Sequence, residues 1–395
     1  MAAGAISKAN AADPKKSSFV RCARTDKGVH ASGNVISLKM IIEDPDVVKK
    51  INENLSPQIR VWGIAPTSKS FSCYHMCDSR VYEFLIPTHC FLPPHHSTYL
   101  GKKMVELAEK EGDLEAFKER QHEVATFWNE VDEKHIRPIL EGVPEDIRNA
   151  VEKALYMNDK SEQKSQEKRE SQESAEGTTG PAEGQASAEP AQEQKPTEPE
   201  VLSEADEARR RKYLDTVKAI KASYLKAKRS YRIPAIRRER LQAALDQYVG
   251  TKNFFNYTIQ KLNTDPSAKR YIKSFKANPE PILINDTEWL SLKVHGQSFM
   301  MHQIRKMVAM AVMVVRCGAH PNRIFESYDS TKIAIPKAPG LGLLLERPVF
   351  DTYNKKAVEQ DREPVDFGKY EKEINEFKQR EIYDRIFREE EETNA

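Results

Sequence analysis

The densest run of chemically capable side chains is Arg21-Cys-Ala-Arg-Thr-Asp-Lys-Gly-Val-His-Ala-Ser-Gly33. Its carboxylate, Asp26, has a plain reading as an Asx-type turn residue ahead of a strand. It also has a reactive reading as a nucleophile, which requires it to be ionised. Burial would oppose that state and a neighbouring guanidinium would favour it. A second cluster, Phe299-Met-Met-His302-Gln-Ile-Arg305, sets a guanidinium in an apolar helical pattern. Arg305 could be a helix-surface charge, but with Ile304 and Val308 on the core side it needs a partner. Cys73-x-x-x-Cys77 with His75, and His89-Cys90, invite a zinc reading. Their spacing fits no strong structural-zinc pattern, so free buried thiols are expected and a structural zinc is unsupported.

The elements that must position these groups are legible in part. Val35 to Met40 alternates, with Ile36, Leu38 and Met40 on one face, and Trp289 to His295 does the same with Leu290, Leu292 and Val294. Val81 to Ile86 reads as a strand presenting Tyr82, Phe84 and Ile86 on one side. Helical spacing appears in Leu241, Leu245 and Tyr248, stopped by Gly250, and again from Phe299 through Val315. A last helical pattern, with Tyr370, Ile374, Phe377, Tyr383 and Phe387 among many charges, is expected to pack on the body of the protein. Hairpin-like strands outnumber strand-helix-strand crossovers, so the expected class is α+β on an antiparallel sheet.

Composition divides the 395 residues sharply. From Asn158 through Glu200 there is no Val, Ile or Leu, no aromatic, no Met and no Cys. Such a stretch cannot offset its ordering entropy and reads as a disordered insert. The expected organisation is 1–157, an insert over 158–207, a second half over 208–355 and a charged helical tail over 356–395. From Arg209 to Arg240 there are thirteen Lys and Arg against two acidic residues, so the formal net charge of +2 hides a strongly basic block. Tyr224 and Tyr231 interleave there with Lys226, Lys228 and Arg229, a mixture suited to phosphate contact and base stacking as well as to a solvated helix face. Five unevenly spaced cysteines, no secretory segment and no apolar run near the ~20 residues that span a bilayer point to a soluble intracellular protein without a membrane partner.

Arg24-Thr25-Asp26-Lys27-Gly28-Val29-His30-Ala31 resembles the signature of the TruA family of tRNA pseudouridine synthases. Further blocks follow in the family's order. Arg80-Val-Tyr82-Glu-Phe84 resembles its Arg-x-Tyr-x-aromatic strand, Gly250 to Tyr257 another block, Phe299 to Arg305 its aromatic-x-x-His-x-x-Arg helix, and Ala338 to Leu345 its active-site strand. The resemblance implies a cofactor-independent isomerase of uridine in tRNA. Asp26 would be the nucleophile, attacking either base or sugar, Tyr82 the platform for a flipped base, and Arg305 the partner of Asp26. Leu343 and Leu345 would line the pocket. Arg24, Thr25, Lys27, Arg80, Lys226, Lys228 and Arg229 would meet RNA, as could His30 and His302, whose first reading is hydrogen-bonding framework.

The resemblance further implies two ferredoxin-like halves sharing one antiparallel sheet around a central cleft. The substrate would be folded tRNA, at several uridines in and near the anticodon stem-loop, with other structured RNA within reach, and the protein a monomer. The long insert and charged tail are similar to the eukaryotic, multisite branch. Arg209-Arg-Arg-Lys212 and Lys228-Arg229 suggest the nucleus, with cytoplasm or mitochondrion as alternatives. Family members open with a strand and a loop that nothing before Arg24 matches, so the expectation is a half lacking its first strand, with reduced stability and activity and a natural start further upstream. That departure also supports a rival reading, an RNA-binding or RNA-folding protein of the same fold.

Overall fold

The computed structural model describes residues 2–7, 13, 15–157 and 204–393. Its contacts divide it into two compact units, one formed by 1–92 and 231–395, the other by 93–230. The expected disordered insert lies outside the described residues over 158–203, and its last four positions, Glu204 to Glu207, open a long helix.

Among its described residues the first unit contains nine strands: β1 (Val20–Arg21), β2 (His30–Ala31), β3 (Ile36–Ser37), β4 (Ser79–Pro87), β5 (Gly250–Asn253), β6 (Lys269–Ala277), β7 (Ile282–Ile284), β8 (Thr287–Gly296) and β9 (Leu343–Val349). Seven form one sheet in the order β2-β9-β4-β8-β6-β5, with β7 on β8. The pairings are antiparallel except β2 with β9, so the sheet is mixed where a purely antiparallel one was expected. The class is α+β. The alternation at 81–86 and 289–295 meets directly in the sheet, Tyr82 opposite Val294, Phe84 opposite Leu292 and Ile86 opposite Leu290. These positions are all buried and form the continuous apolar face that fixes the register.

That face lies on the same unit as two helices, Ala235–Asp246 and Gln303–Arg316, which pack on each other, the first also on β6. The Gly250 to Tyr257 block packs an aromatic cluster on the second of them. Phe254 and Tyr257 are 0% exposed, and buried Tyr248 donates its hydroxyl to the Met307 carbonyl at 2.9 Å. The opposite face of the sheet is covered by the C-terminal helices. Phe377, Ile382, Ile386 and Phe387 pack against Leu85, Trp289 and Leu344, which is the body-packing role read from the apolar spacing.

Beneath the same helices lies an ion pair. Lys378 Nζ is 2.6 Å from Glu83 Oε2, Tyr383 donates its hydroxyl to the same carboxylate at 2.7 Å, and Ser291 donates to its other oxygen. Burial pushes the Glu83 carboxyl up. The Lys378 ammonium and these hydrogen bonds more than offset that, leaving it below its usual range.

The expected strand from Val35 to Met40 is reduced to β3, two residues paired with β1. Its inward residue is Val35, packed with Cys22, Cys73 and Phe350, whereas Ile36 is 49% exposed. The expected face fails at Ile36, while Leu38 and Met40 stay half-buried, because a two-residue ladder has no second sheet to impose an apolar face along its length.

β9 approaches β4 closely at its entry. An added Cβ at Gly342 would stand 2.3 Å from the Leu85 carbonyl oxygen, and the Gly342 carbonyl accepts from the Leu85 amide at 2.9 Å. Gly342→Ala is therefore expected to force these backbones apart and lower stability by about 2 kcal/mol or more. Thermal melting checks this, and an unchanged midpoint would contradict the close approach.

The second unit is helical, built from Tyr99–Lys110 through Glu145–Met157 and then the Glu204–Arg229 helix. Ile147, Val151, Ile220 and Ala227 are among its buried contacts. The basic block thus resolves into one helix up to Arg229 and the start of another beyond Pro234. Among the described residues no helix is long and apolar enough to cross a membrane.

Candidate active site

Asp26 occupies the first position of a tight turn. Val29 N–H donates to the Asp26 carbonyl at 3.1 Å, and Gly28 takes φ +80°, a conformation that costs a side-chain-bearing residue and suits glycine. The turn runs straight into β2, which pairs in parallel with β9, His30 opposite Leu344 and Ala31 opposite Leu345. On the far side of β9, Leu345 is opposite Tyr82 of β4. One row across three strands therefore places the exit of the Asp26 turn, a buried leucine and a tyrosine side by side. A bulge in β9 falls next to this row, since Val81 pairs with Arg347 and Tyr82 with Leu345, skipping Glu346.

The Asp26 side chain is one-third exposed and meets the head of the Gln303–Arg316 helix. His302 Nδ1 lies 2.9 Å from Asp26 Oδ2, and Arg305 Nη1 lies 3.8 Å from the same oxygen. Arg305 also donates from Nε to the Ala338 carbonyl at 2.6 Å, which ties the guanidinium to the segment leading into β9. The hydrogen bond from His302 is the largest influence on the Asp26 acidity. With the Arg305 and Lys337 cations it outweighs burial and holds the carboxyl below its usual range, so the carboxylate is ionised at neutral pH.

Tyr82 is nearly buried, and its ring meets Phe299 edge-on at 5.3 Å and 81°. Burial pushes its phenol up to about 12, so it is neutral at physiological pH and able to donate or accept a proton in a hydrogen bond. Leu343 and Leu345 are buried opposite Phe84 and Tyr82, on the face that carries the tyrosine.

The other residues singled out in the sequence are more scattered. Arg24, Thr25 and Lys27 are exposed on the Asp26 turn. Arg80 donates to the Cys22 carbonyl at 3.1 Å and the Gln297 carbonyl at 3.3 Å, bracing the start of that turn. His30 is half-buried, with its Nε2 enclosed. Burial lowers its basicity, and the charges that act on it are Arg385 and Glu389 of the C-terminal helix. Lys226, Lys228 and Arg229 lie on the last turn of the long helix in the second unit, Lys226 exposed and the other two half-buried.

Sequence reading gave two contributors other places or roles and missed a third. His302 was weighed as framework or RNA contact, yet it lies nearer to the Asp26 carboxylate than Arg305 does. Its position one helical turn before Arg305 was the available signal. Phe299 was read as the start of the helical pattern but lies in the irregular stretch just ahead of the helix, and Lys337, in an irregular segment of its own, gave no signal.

The proposed zinc candidates among Cys73, His75, Cys77, His89 and Cys90 form no metal-holding group among the described residues, and the five cysteines are thiols. A different group, His95, His96 and Asp132, is close enough to hold an ion. There, His95 Nδ1 accepts from the Ser97 amide at 3.1 Å and its Nε2 lies 3.0 Å from Asp132, whose other oxygen accepts from the Tyr224 hydroxyl at 2.7 Å. These contacts account for the arrangement as a hydrogen-bonded brace in the second unit.

Residues 244–351 match the family model described as tRNA pseudouridine synthase. The whole chain is 41% identical to "tRNA pseudouridine synthase 1" of Eremothecium gossypii, covering 65% of that protein. Over 98% of its length it is 42% identical to the protein of the same name in Schizosaccharomyces pombe, covering 74% of it. The "tRNA pseudouridine(27/28) synthase" of Saccharomyces cerevisiae is 33% identical over 89% of the chain, with 76% of that protein covered. Against three of the fungal relatives the chain spans 58% to 65% of their length. These likenesses and the ordered blocks around Asp26, Tyr82 and Arg305 establish that the chain belongs to the TruA-type tRNA pseudouridine synthase family.

Proposed function

We propose that this protein converts uridine to pseudouridine in tRNA, with Asp26 as the nucleophilic carboxylate. The observation that carries the reading is the ionised Asp26 beside His302 and Arg305, on the turn that leads into a sheet row shared with a neutral Tyr82. The reaction breaks the bond from C1′ to N1, turns the base and joins C1′ to C5. The proton on C5 leaves and N1 gains one, so atoms and charge balance without oxidant or reductant. Every step is a covalent or proton transfer that amino-acid side chains can perform, and the chemistry therefore asks for no cofactor.

The detached base must be held out of the RNA stack. The Tyr82 ring, backed by Leu343 and Leu345, offers it an apolar seat. The Arg305 guanidinium, anchored on Ala338, keeps the carboxylate charged as substrate displaces water. The reading includes the finer architecture of two ferredoxin-like halves meeting where β4 pairs β8 from Arg80–Gly296 to Pro87–Trp289. It also includes action at several uridines in and near the anticodon stem-loop, other structured RNA as substrate, a monomeric state and residence in the nucleus. Support for the last is the exposed run Arg209 to Lys212.

Release of tritium from tRNA labelled at uracil C5 tests the reading. The enzyme is expected to release it catalytically, and a protein that only binds or folds RNA releases none. The basic helix is expected to supply phosphate contacts. Replacing Lys226, Lys228 and Arg229 together with Gln should weaken tRNA binding and reduce the slope of log K against log salt by about 2. A slope equal to that of the wild type would make this a solvated helix face.

A further inference from the structure

His302 has a backbone that a histidine rarely takes. It lies at φ +61°, ψ +1°, in the left-handed region, as the residue capping the Gln303–Arg316 helix, and its side chain makes no cap bond to that helix. Such a conformation carries strain for a residue with a Cβ. The neighbouring residues hold it there. Thr258 donates its hydroxyl to the Met301 carbonyl at 2.9 Å, and the Gln303 side chain accepts from the Met300 amide at 2.9 Å. Asn256, just before Thr258, is fully buried and bonded to the Ser327 and Thr331 carbonyls, which anchors the clamp in the core. The product of this arrangement is one contact, the 2.9 Å approach of Nδ1 to Asp26 Oδ2, nearly an ångström shorter than that of Arg305.

We propose that His302 is a positioning residue for Asp26. Its imidazole, aimed by the left-handed turn, fixes the carboxylate by a direct hydrogen bond in the rotamer from which it reacts. The neutral Nδ1–H tautomer and the imidazolium both donate from this nitrogen, so the bond persists in either state. Arg305 then serves as the counter-charge at longer range, held off by its own bond to Ala338. The proposal rests on the enzymatic reading of Asp26. The groups facing that carboxylate are His302 and Arg305 from the helix, Lys337 from the segment before β9 and Tyr82 from β4.

The test uses two substitutions that tolerate a left-handed backbone, His302→Gly, which removes the donor, and His302→Asn, whose amide nitrogen can replace Nδ1. In single-turnover isomerisation of tRNA, His302→Gly is expected to lose about 10- to 100-fold in rate with tRNA affinity unchanged, and His302→Asn to recover much of it. The hydrogen bond lowers the Asp26 pKa, so its loss should move the acid limb of the rate profile to higher pH. Carbon-13 titration of the Asp26 carboxyl, assigned with Asp26→Asn, should show the same upward move without reference to turnover. An inactive wild type with the carbon-13 shift intact would remove the enzymatic reading and keep the contact. An active wild type with no change in rate or titration in His302→Gly would overturn the positioning role. So would a rate loss that His302→Asn fails to restore and that tracks a lowered melting temperature.

Discussion

Asp26→Asn is expected to abolish isomerisation, with a fall of about 10⁴-fold or more in single-turnover rate, while tRNA affinity stays within a few fold. The amide keeps the size and shape of the carboxylate. Its nitrogen cannot attack, and its neutral oxygen no longer attracts Arg305 and Lys337. The Asp26 turn is held by the Val29 amide, by Gly28 and by the β2–β9 pairing, none of which uses the carboxylate, so the fold should be indifferent to the change. Melting temperature and filter binding check those two expectations beside the rate. Turnover near that of the wild type would leave the nucleophile unassigned.

Lys378→Met is expected to produce the largest loss of stability. It leaves Glu83, 2% exposed, as a buried carboxylate with only Ser291 and Tyr383 as partners. Breaking a buried pair from one side costs about 3–5 kcal/mol, which for a unit of this size lowers the melting temperature by on the order of 10 °C. The pH dependence follows from the direction of the Glu83 shift. Its folded pKa lies below the unfolded one, so its contribution is complete above the unfolded value of about 4.3 and is lost as pH falls through the folded value. Without the ammonium, only the hydrogen bonds from Ser291 and Tyr383 oppose burial, and Glu83 folds more readily protonated. The gap between Lys378→Met and wild type should therefore narrow as the solution is acidified towards pH 4. Adding Glu83→Gln to Lys378→Met should restore much of the stability, because an amide needs no counter-charge. A gap that stays constant with pH would show that Lys378 acts through its methylenes rather than its charge.

What could be read in the sequence was what repeats or what is locally dense. The strands at 81–86 and 289–295 announced themselves by alternation, and their apolar faces meet in register. The apolar spacing of Phe377 and Phe387 likewise foretold a helix packed on the body. Asp26, Tyr82 and Arg305 were found through blocks that share an order along the chain with a known family, and Arg305 converges with His302 on one Asp26 carboxylate oxygen.

What was not legible depends on distance in the chain or on backbone conformation. Val35 rather than Ile36 faces inward because the partner of β3 is two residues long, which no periodicity states. The parallel pairing of β2 with β9 joins residues some three hundred positions apart. Glu83 and Lys378 are each an ordinary charge in their own segment, and become a buried pair only after the C-terminal helix lies on the sheet. His302 reaches Asp26 because its backbone is left-handed, a choice made by Thr258 and Gln303 and invisible in the helical pattern that begins beside it.

The most direct measurement of the central claim is the nucleoside composition of an unmodified tRNA transcript before and after incubation with the protein. Chromatography of the digested RNA is expected to show pseudouridine appearing as uridine disappears, one for one, with total mass unchanged, and no such exchange with Asp26→Asn. Tight binding of the transcript with its uridine content intact would contradict the account.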